Sequence, residues 1–302
     1  MELALALLLA PLLTGVVRRT KAAMAGRQGP PLLQAYWDLR KLLARASVYS
    51  RTTTWLFGVG PFVGLAAVAG ALALAPAGPV PALVPFLGDF VLLVYLLAGA
   101  RFATALAALD TGSAFEGMGA SREMAFGVLV ELALLLVIAS LVRTSGAWSL
   151  TAIGAHLAAA GWGGAVGSLV LVAAALFGIL LVENARIPFD DPATHLELTM
   201  IHEVMVLDHS GPDLAAIELA SMLKLWLFAG LLGGVIAPVQ TGSVILDACV
   251  HTAVVLSVGI AVGLVESSMA RLPLLRVPQI LLATTLLALL SMVLAPSLGV
   301  VS

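Results

Sequence analysis

Long apolar runs separated by short polar segments make up most of the chain. Within each run the apolar residues are continuous rather than alternating, a pattern typical of membrane-spanning helices and not of barrel strands. A helix needs about 20 apolar residues to cross the hydrocarbon core of a bilayer. Eight runs approach or exceed this length, at residues 2–17, 53–75, 82–108, 124–142, 166–182, 216–237, 243–266 and 277–295. The pattern predicts a single all-α polytopic membrane domain over residues 1–302, with about eight transmembrane helices and amphipathic helices in its cytoplasmic loops.

The composition also indicates a membrane protein. Of the 302 residues, 61% are hydrophobic and 11% are charged, with a net charge of −2 and a mean hydropathy of +1.09. Soluble domains are about 25% charged, so a soluble enzyme and a disordered protein are excluded, and the small negative charge argues against a nucleic-acid partner. Cys249 is the only cysteine, and one cysteine can neither form an internal disulfide nor hold an iron–sulfur cluster. We therefore expect any redox centre to lie on another chain.

Basic residues are concentrated in the first loop, residues 18–52. This loop contains eight of the 15 Lys and Arg residues, at Arg18, Arg19, Lys21, Arg27, Arg40, Lys41, Arg45 and Arg51. The positive-inside tendency places such a loop in the cytoplasm. The stretch 146–162 is then interfacial, because a ninth span there would carry Arg186 and Arg276 to the outer side. We expect eight spans, with both termini on the outer face of the cytoplasmic membrane.

Ionisable residues occur within or at the ends of several predicted spans. They are costly in a bilayer and usually face the bundle interior, a partner or a water path. Glu123 and Glu131, eight residues apart, should lie near one helix face about 12 Å apart. Lys224 can pair with Glu218 or another carboxylate. The alternative for charges near span ends is that their side chains only reach the membrane interface. The remaining members of this set are Arg101, Asp110, Glu183, Asp247 and Glu266.

The loop at residues 183–215 is rich in acidic residues and histidines. Asp191 and Pro192 are typical of a helix start, with Asp at the N-cap and Pro at the first helical position. We expect an amphipathic helix from there to about Leu207. Three histidines at spacings of seven, His195, His202 and His209, raise the question of a metal site. Because the HEVMV segment is not an HExxH zinc motif, we predict buried or interfacial histidines and no metal site.

The first loop predicts a second amphipathic helix. A Gly/Pro turn at residues 26–31 precedes it, and leucines and Tyr36 can occupy one side of the helix up to Leu43. A helix lying on the membrane surface is the simplest interpretation.

Three polar stretches carry charged residues at fixed spacing. They are Gly26-Arg27-x-Gly29-Pro30 with Gln34, Asp38 and Lys41; Glu183-x-x-Arg186-x-Pro188-Phe189-Asp190-x-Pro192 with Glu197-Leu198; and Asp110-Thr111-Gly112-Ser113-Ala114-Phe115 with Ser121-Arg122-Glu123-Met124. Together they resemble the membrane subunit 1 family shared by respiratory NADH dehydrogenase (complex I) and membrane-bound energy-converting hydrogenases. The resemblance extends over nearly the whole chain.

Within that family the sequence resembles the hydrogenase branch, which includes formate hydrogenlyase and hydrogenase-4 membrane subunits. The similarity is carried by the run from Pro192 to Glu203 and by residues 265–271. Three residues depart from the family pattern, Glu116, His251 and Gln279, and the exact ion path is open at these positions.

The resemblance implies a membrane anchor subunit with no active-site chemistry of its own. Its partners would be the hydrogenase large subunit with a nickel–iron centre, a small subunit with iron–sulfur clusters, and antiporter-like membrane subunits. The loops 18–52 and 183–215 would form the docking surface, with Arg27, Gln34, Asp38, Lys41, Asp190 and Glu203. A carboxylate proton path would use Glu131, Glu183, Glu197, Glu218, Glu123 and Glu266, with Arg186, Lys224 and Arg101 as charge partners.

Three other functions are compatible with the sequence. The first is the quinone-site membrane subunit of a complex I-type NADH dehydrogenase. The second is a standalone secondary transporter, although the inverted repeats and broken helices of such proteins are not evident. The third is a purely structural anchor whose charges serve assembly alone.

Overall fold

A computed structural model describes residues 1–190, 201–270 and 272–296, and these residues form a helical bundle. The helices are α1 Glu2–Met24, α2 Gln34–Leu43, α3 Trp55–Leu74, α4 Asp89–Asp110, α5 Ala114–Ser145, α6 Leu150–Ala160, α7 Val166–Glu183, α8 His202–Val206, α9 Gly211–Ile236, α10 Val244–Ser268 and α11 Val277–Leu294. In this part of the chain, eight of them are long and apolar enough to cross a membrane. The all-α polytopic fold is confirmed.

The connections between the eight long helices alternate between two ends of the bundle. We call one end the basic face, formed by residues 25–54, 111–113, 184–190, 201–210, 269–270 and 272–276, and the other the distal face, formed by residues 75–88, 146–165 and 237–243. Helix α6 lies at the distal face and has 11 residues, so it is about 16 Å long and too short to span a bilayer. The prediction that residues 146–162 do not add a ninth span is therefore confirmed.

Helix α9 is the central helix of the bundle. It packs against α1, α3, α7 and α10, and Trp226 and Phe228 on it are fully buried. A helix that is apolar on all sides packs in a protein interior or faces lipid, and α9 is the most enclosed of the described spans. Its beginning is set by Ser210 in extended backbone and Gly211 at φ +59°, a conformation that glycine adopts without strain.

Helix α5 begins earlier than the apolar pattern predicts, at Ala114 rather than at residue 124. Gly112 (φ +72°) makes the preceding turn, and the helix then runs along the basic face before it enters the apolar core. Asp110 fixes this corner, since its carboxylate accepts hydrogen bonds from the backbone N–H of Thr54 at 2.6 Å and from its hydroxyl at 2.8 Å. The first turns of α5 are polar, and for that reason hydropathy alone misses them.

Helix α2 confirms the amphipathic helix predicted for the first loop. Ala35 is its only fully buried residue, and the hydroxyl of Tyr36 donates a hydrogen bond to the carbonyl of Leu8 on α1. Trp37 and Leu43 are exposed, as expected for a helix whose outer side lies against lipid or a partner. Burial raises the pKa of the Tyr36 phenol.

The second predicted loop helix is only partly described. Residues 191–200, which contain its expected start, lie outside the described residues. Ile201 is not helical, and α8 begins at His202 and ends at Val206, so the prediction of one unbroken helix to about Leu207 is wrong. Val204 on α8 packs against α5, where Gly119 leaves room for it.

Candidate functional site

Arg101 on α4 is the centre of a cluster of ion pairs within the bundle. Its guanidinium contacts Glu131 Oε1 at 2.5 Å, Glu183 Oε1, and Glu123 Oε1 at 3.6 Å. Arg101 and Glu183 are each 8% exposed. Because Glu123 and Glu131 lie on α5 and Glu183 ends α7, one side chain links three helices. We call these residues, with Lys224, the Arg101 cluster.

Arginine suits the centre of this cluster for two reasons. Its planar guanidinium presents five donors in a fixed fork, and it stays charged when buried. It also needs space on the facing helix, which Gly127 provides: a Cβ at Gly127 would overlap the guanidinium. The α4–α5 packing and the ion pairs therefore depend on the same glycine.

Lys224 on α9 completes the cluster. Its Nζ lies 3.5 Å from Glu183 Oε2, so Glu183 is shared between Arg101 and Lys224. The sequence left the partner of Lys224 open between Glu218 and another carboxylate, and the structure identifies Glu183. Three carboxylates then face two cations. The cluster is electrically balanced when one of the three carboxylates is protonated. This state is favoured because an uncompensated buried charge is costly.

A second ion-pair group lies where α1 and α10 reach the basic face. Glu266 on α10 is buried and contacts Lys21 Nζ at 2.8 Å and Arg186 Nη1 at 3.4 Å. We call it the Glu266 group. Its direct contacts join one carboxylate to two cations, whereas those of the Arg101 cluster join three carboxylates to two cations. Arg186 was expected among the charge partners of the relay, and the structure places it beside Glu266 rather than Glu183.

A cavity of about 380 Å³ opens beside the Glu266 group, and a smaller one of about 50 Å³ lies beside the Arg101 cluster. His202 and Ser221 line both cavities, and Arg101, Glu123 and Lys224 line the smaller one. Polar cavities of this size can hold water molecules that bridge polar groups. His202 and Ser221 therefore lie between the two ion-pair groups, next to cavities with room for water. Acidic residues lining the larger cavity include Asp190, Glu203, Glu218 and Glu266.

His202 is neutral at the junction of the two cavities. Burial and the nearby Lys224 ammonium lower its pKa to about 4, although Asp190 and Glu183 oppose the shift. Its backbone N–H donates to Asp190 Oδ2 at 3.0 Å. A neutral imidazole has one donor and one acceptor nitrogen, so it can pass a proton between hydrogen-bonded waters without carrying a charge.

The three histidines considered for a metal site have different surroundings. His209 is buried and stacks on Phe57 with ring centroids 3.9 Å apart, and burial lowers its pKa. His202 lines the cavities, and His195 lies outside the described residues. The described part of the chain contains no group of three side chains that could hold a metal ion.

The residues predicted for docking are exposed on the basic face, held between α2 and α1, or next to the larger cavity. Arg27 and Lys41 are exposed on the basic face. Asp38 is tied to α2 and α1, since Gln34 donates to it at 2.8 Å and Arg18 lies 3.8 Å away. The other two, Asp190 and Glu203, line the larger cavity.

Asp190 is buried, and its carboxylate accepts the backbone N–H groups of Ile201 and His202. Any part that it has in docking is therefore indirect, through the position of α8. Of the residues predicted for the proton path, Glu197 lies outside the described residues, and Glu218 is half-buried between the larger cavity and α2.

At least two buried charged groups were missed from the sequence, Glu2 and Asp89. Glu2, at the start of α1, contacts His251 on α10 and accepts a hydrogen bond from Trp226 on α9. The position of Glu2 at the start of an apolar run could have identified it from the sequence. His251 was noted only as a departure from the family pattern.

Comparisons with known proteins agree on the family. The model of the NADH dehydrogenase family matches residues 1–296. Formate hydrogenlyase subunit 4 of Escherichia coli (strain K12) is 35% identical over 277 residues, covering 90% of this chain and 89% of that protein. Hydrogenase-4 component C of the same strain is 34% identical over 274 residues, covering 88% of this chain and 84% of its own length.

A solved structure shares the fold. A chain in the structure of the membrane-bound sulfane sulfur reductase, an archaeal respiratory membrane complex, superimposes with a TM-score of 0.82 at 19% identity, covering 97% of each chain. At that identity the likeness concerns the fold alone.

Proposed function

The chain belongs to the NADH dehydrogenase family of membrane subunits, and from this premise we propose that it anchors and couples an energy-converting nickel–iron hydrogenase complex of the formate hydrogenlyase type. The similarity to formate hydrogenlyase subunit 4 and hydrogenase-4 component C extends over most of each chain, which supports this branch. The hydrogenase and iron–sulfur subunits bind the cofactors, and this chain moves protons.

The observation that carries the proposal is the Arg101 cluster. Its three carboxylates and two cations are balanced by one proton, so the cluster gains or loses that proton when a nearby charge changes. Two unit charges 10 Å apart interact by roughly 1–2 kcal/mol at an effective dielectric constant of about 20. That energy changes a protonation equilibrium by about tenfold. A redox event above the basic face can therefore control this proton.

The proton path is proposed to begin at this cluster. Glu123, Glu131 and Glu183 hold the proton, and water in the two cavities carries it past His202. Further carboxylates beside this route are Glu218, Glu266 and, outside the described residues, Glu197. Antiporter-like partner subunits then receive the proton laterally.

The docking surface is proposed to be the basic face. It contains the loop 18–52 with α2 and the described part of the loop 183–215, and Arg27 and Lys41 on it are exposed. In the proposed orientation the basic face lies in the cytoplasm and both termini lie on the outer side of the inner membrane. Antiporter-like subunits bind within the membrane.

Purification of the complex tests the branch. The chain is affinity-purified in mild detergent from its native membrane, its partners are identified, and nickel, iron and flavin are measured. Nickel and iron in the complex, with hydrogen evolution from a reduced donor, are the expected result. A sample without nickel contradicts the hydrogenase assignment, and a chain that copurifies with no other subunit contradicts the anchor role.

One observation favours a second candidate, the quinone-site subunit of a complex I-type enzyme. The cavity of about 380 Å³ beside Glu266 and Arg186 is large enough for a small polar headgroup. Iron and flavin without nickel, with quinone-dependent activity in the same purification, would support this function instead.

A further inference from the structure

A second buried acid–base pair lies on the other side of α9, toward the distal face. Glu2 Oε2 is 3.1 Å from His251 Nε2, and Trp226 Nε1 donates a hydrogen bond to Glu2 Oε1 at 2.8 Å. Glu2 is 2% exposed, His251 4% and Trp226 0%. Since Lys224 and Trp226 are two positions apart on α9, they point to nearly opposite sides of that helix. The pair is therefore separate from the Arg101 cluster.

The imidazole of His251 extends from Glu2 toward the distal loop. Its Nε2 faces the carboxylate, and its Nδ1 faces Gly78, where an added Cβ would lie 3.5 Å from that nitrogen. Gly78 has φ +59°, which any other residue would adopt only under strain. Gly230 on α9 makes a similar close approach, because a Cβ there would lie 2.8 Å from Glu2 Oε1. The absence of a side chain at both glycines allows the backbone to approach Glu2 and His251 closely.

A cavity of about 50 Å³ lies next to the pair. It is bounded by Gly78 in the distal loop, Gly154 on α6 and Gly230 on α9, and its lining is mostly apolar and includes neither Glu2 nor His251. Because Gly78 and Gly230 also contact the pair, these two glycines lie between the pair and the cavity. The cavity volume exceeds the roughly 10–15 Å³ that one water molecule needs.

We propose that Glu2 and His251 form a proton-exchange site that communicates with the distal face. In the transfer, His251 Nδ1 accepts a proton from water while Nε2 gives its proton to Glu2 Oε2, and release runs in the opposite direction. One proton enters for each proton passed on, so the ring returns to neutral. The Trp226 N–H stabilises the Glu2 carboxylate after it gives up the proton.

Charge balance explains why the site holds one proton. With one shared proton the pair is neutral overall, either as an ion pair or as a neutral acid and a neutral ring. Without it a buried carboxylate remains, with a single hydrogen bond from Trp226, and an uncompensated buried charge is costly. The site is thus a store for one proton that releases it when the surroundings change.

Other charged groups on the surrounding helices lie away from the pair. On α10, Asp247 is one turn earlier and accepts hydrogen bonds from Thr241. On α9, Lys224 points to the Arg101 cluster. After Glu2, the next charged residue on α1 is Arg18, and His156 on α6 is exposed. The amino group of Met1 is adjacent in sequence to Glu2.

Nitrogen-15 NMR of histidine tests the site directly. The full-length chain, labelled with nitrogen-15 histidine and without an N-terminal tag, is reconstituted in liposomes, and the His251 signal is identified by its loss in His251→Gln. We expect the His251 signal to change its protonation state when the pH on the distal side is stepped and the other side is buffered. A signal that never changes, or that follows only the basic side, overturns the proposal.

Two variants and one control sharpen the test. In Glu2→Gln the response of the His251 signal to the pH step should change, because the carboxylate that faces the ring is gone. Asp247→Asn, on the same helix near the same face, should leave the signal unchanged. If Glu2→Gln does not fold, Trp226→Phe removes only the donor to Glu2, and the infrared signal of protonated Glu2 should increase. An unchanged His251 signal in Glu2→Gln, or an unchanged carboxyl signal in Trp226→Phe, contradicts a shared proton.

This inference goes beyond the proposed function and does not depend on it. The NMR measurement involves no electron transfer, so a complex without nickel would leave its outcome unaffected. Conversely, a His251 that does not titrate would leave the Arg101 cluster and its role as proposed.

Discussion

The Arg101 cluster and the Glu266 group are both ion-pair networks beside cavities that can hold water. The charges in their direct contacts have opposite balances. The first has three carboxylates for two cations, and the second has one carboxylate for two cations. The acid-rich network is completed by a proton, whereas the Glu266 group is completed by the acidic residues that line the adjacent cavity and by solvent around Lys21, which is about one third exposed. Under the proposed function, one carboxylate of the Arg101 cluster holds the proton, whereas Glu266 mainly joins α1 to α10.

The largest effect is expected from removing Arg101. Arg101→Ala leaves three carboxylates facing Lys224 alone, and breaking a buried ion pair typically costs about 3–5 kcal/mol. We expect little folded protein, measured as detergent-stable yield and melting temperature. Arg45→Ala, at an exposed arginine of the basic face, is the control and should behave as wild type. Equal stability of the two variants would show that the cluster contributes nothing to folding.

Removing one cation from each group separates their roles. Lys224→Met should cause the Arg101 cluster to take up about one further proton, because its negative excess increases. Arg186→Met should cause no uptake, since Lys21 still balances Glu266. Infrared spectroscopy of protonated carboxyl groups measures both. Equal uptake in the two variants would mean that charge balance does not control protonation here.

A smaller effect is expected at the Glu266 group. Glu266→Gln removes the anion between Lys21 and Arg186 and should cost about 1–3 kcal/mol, the range for hydrogen bonds to charged groups, because Lys21 can turn toward water. Ser268→Ala, exposed at the end of α10, is the matched control. Thermal unfolding of both variants checks this, and a loss as large as that of Arg101→Ala would contradict the proposed difference between the groups.

A pH-dependent effect, smallest at neutral pH, is expected at His202. His202 has its pKa lowered to about 4 in the folded protein, below its ordinary value of about 6.5, so the unfolded chain binds more protons. Its contribution to stability is present above about pH 6.5 and is lost as the pH falls toward about 4. His202→Asn should reduce the pH dependence of unfolding in that window. An unchanged pH dependence would indicate that His202 is not held neutral in the fold.

The sequence predicted the fold better than the site. Hydropathy located all eight spans, because each is continuous and apolar, but it placed the start of α5 ten residues late, since Glu116 and Glu123 make its first turns polar. It identified Arg101, Glu123, Glu131, Glu183 and Lys224 as costly charges. It could not pair them, because pairing depends on which helices become neighbours.

Two pairings show this limit in physical terms. Arg186 follows Glu183 by three positions in the chain, yet its contact is Glu266 on α10, since the chain turns after α7. Glu2 lies at the edge of an apolar run, where a charge ordinarily reaches the interface, and only the packing of α1 against α9 and α10 makes it buried. Both results come from long-range packing, which one sequence does not reveal.

The most direct test of the central claim is ion translocation in proteoliposomes that contain the purified complex. Proton movement and electron transfer are measured in the same sample for wild type and Glu131→Gln, with Glu266→Gln as the comparison from the other ion-pair group. The account predicts that Glu131→Gln lowers the protons moved per electron by at least tenfold while assembly and electron transfer remain. An unchanged ratio in Glu131→Gln would contradict the role of the Arg101 cluster as the proton-holding site.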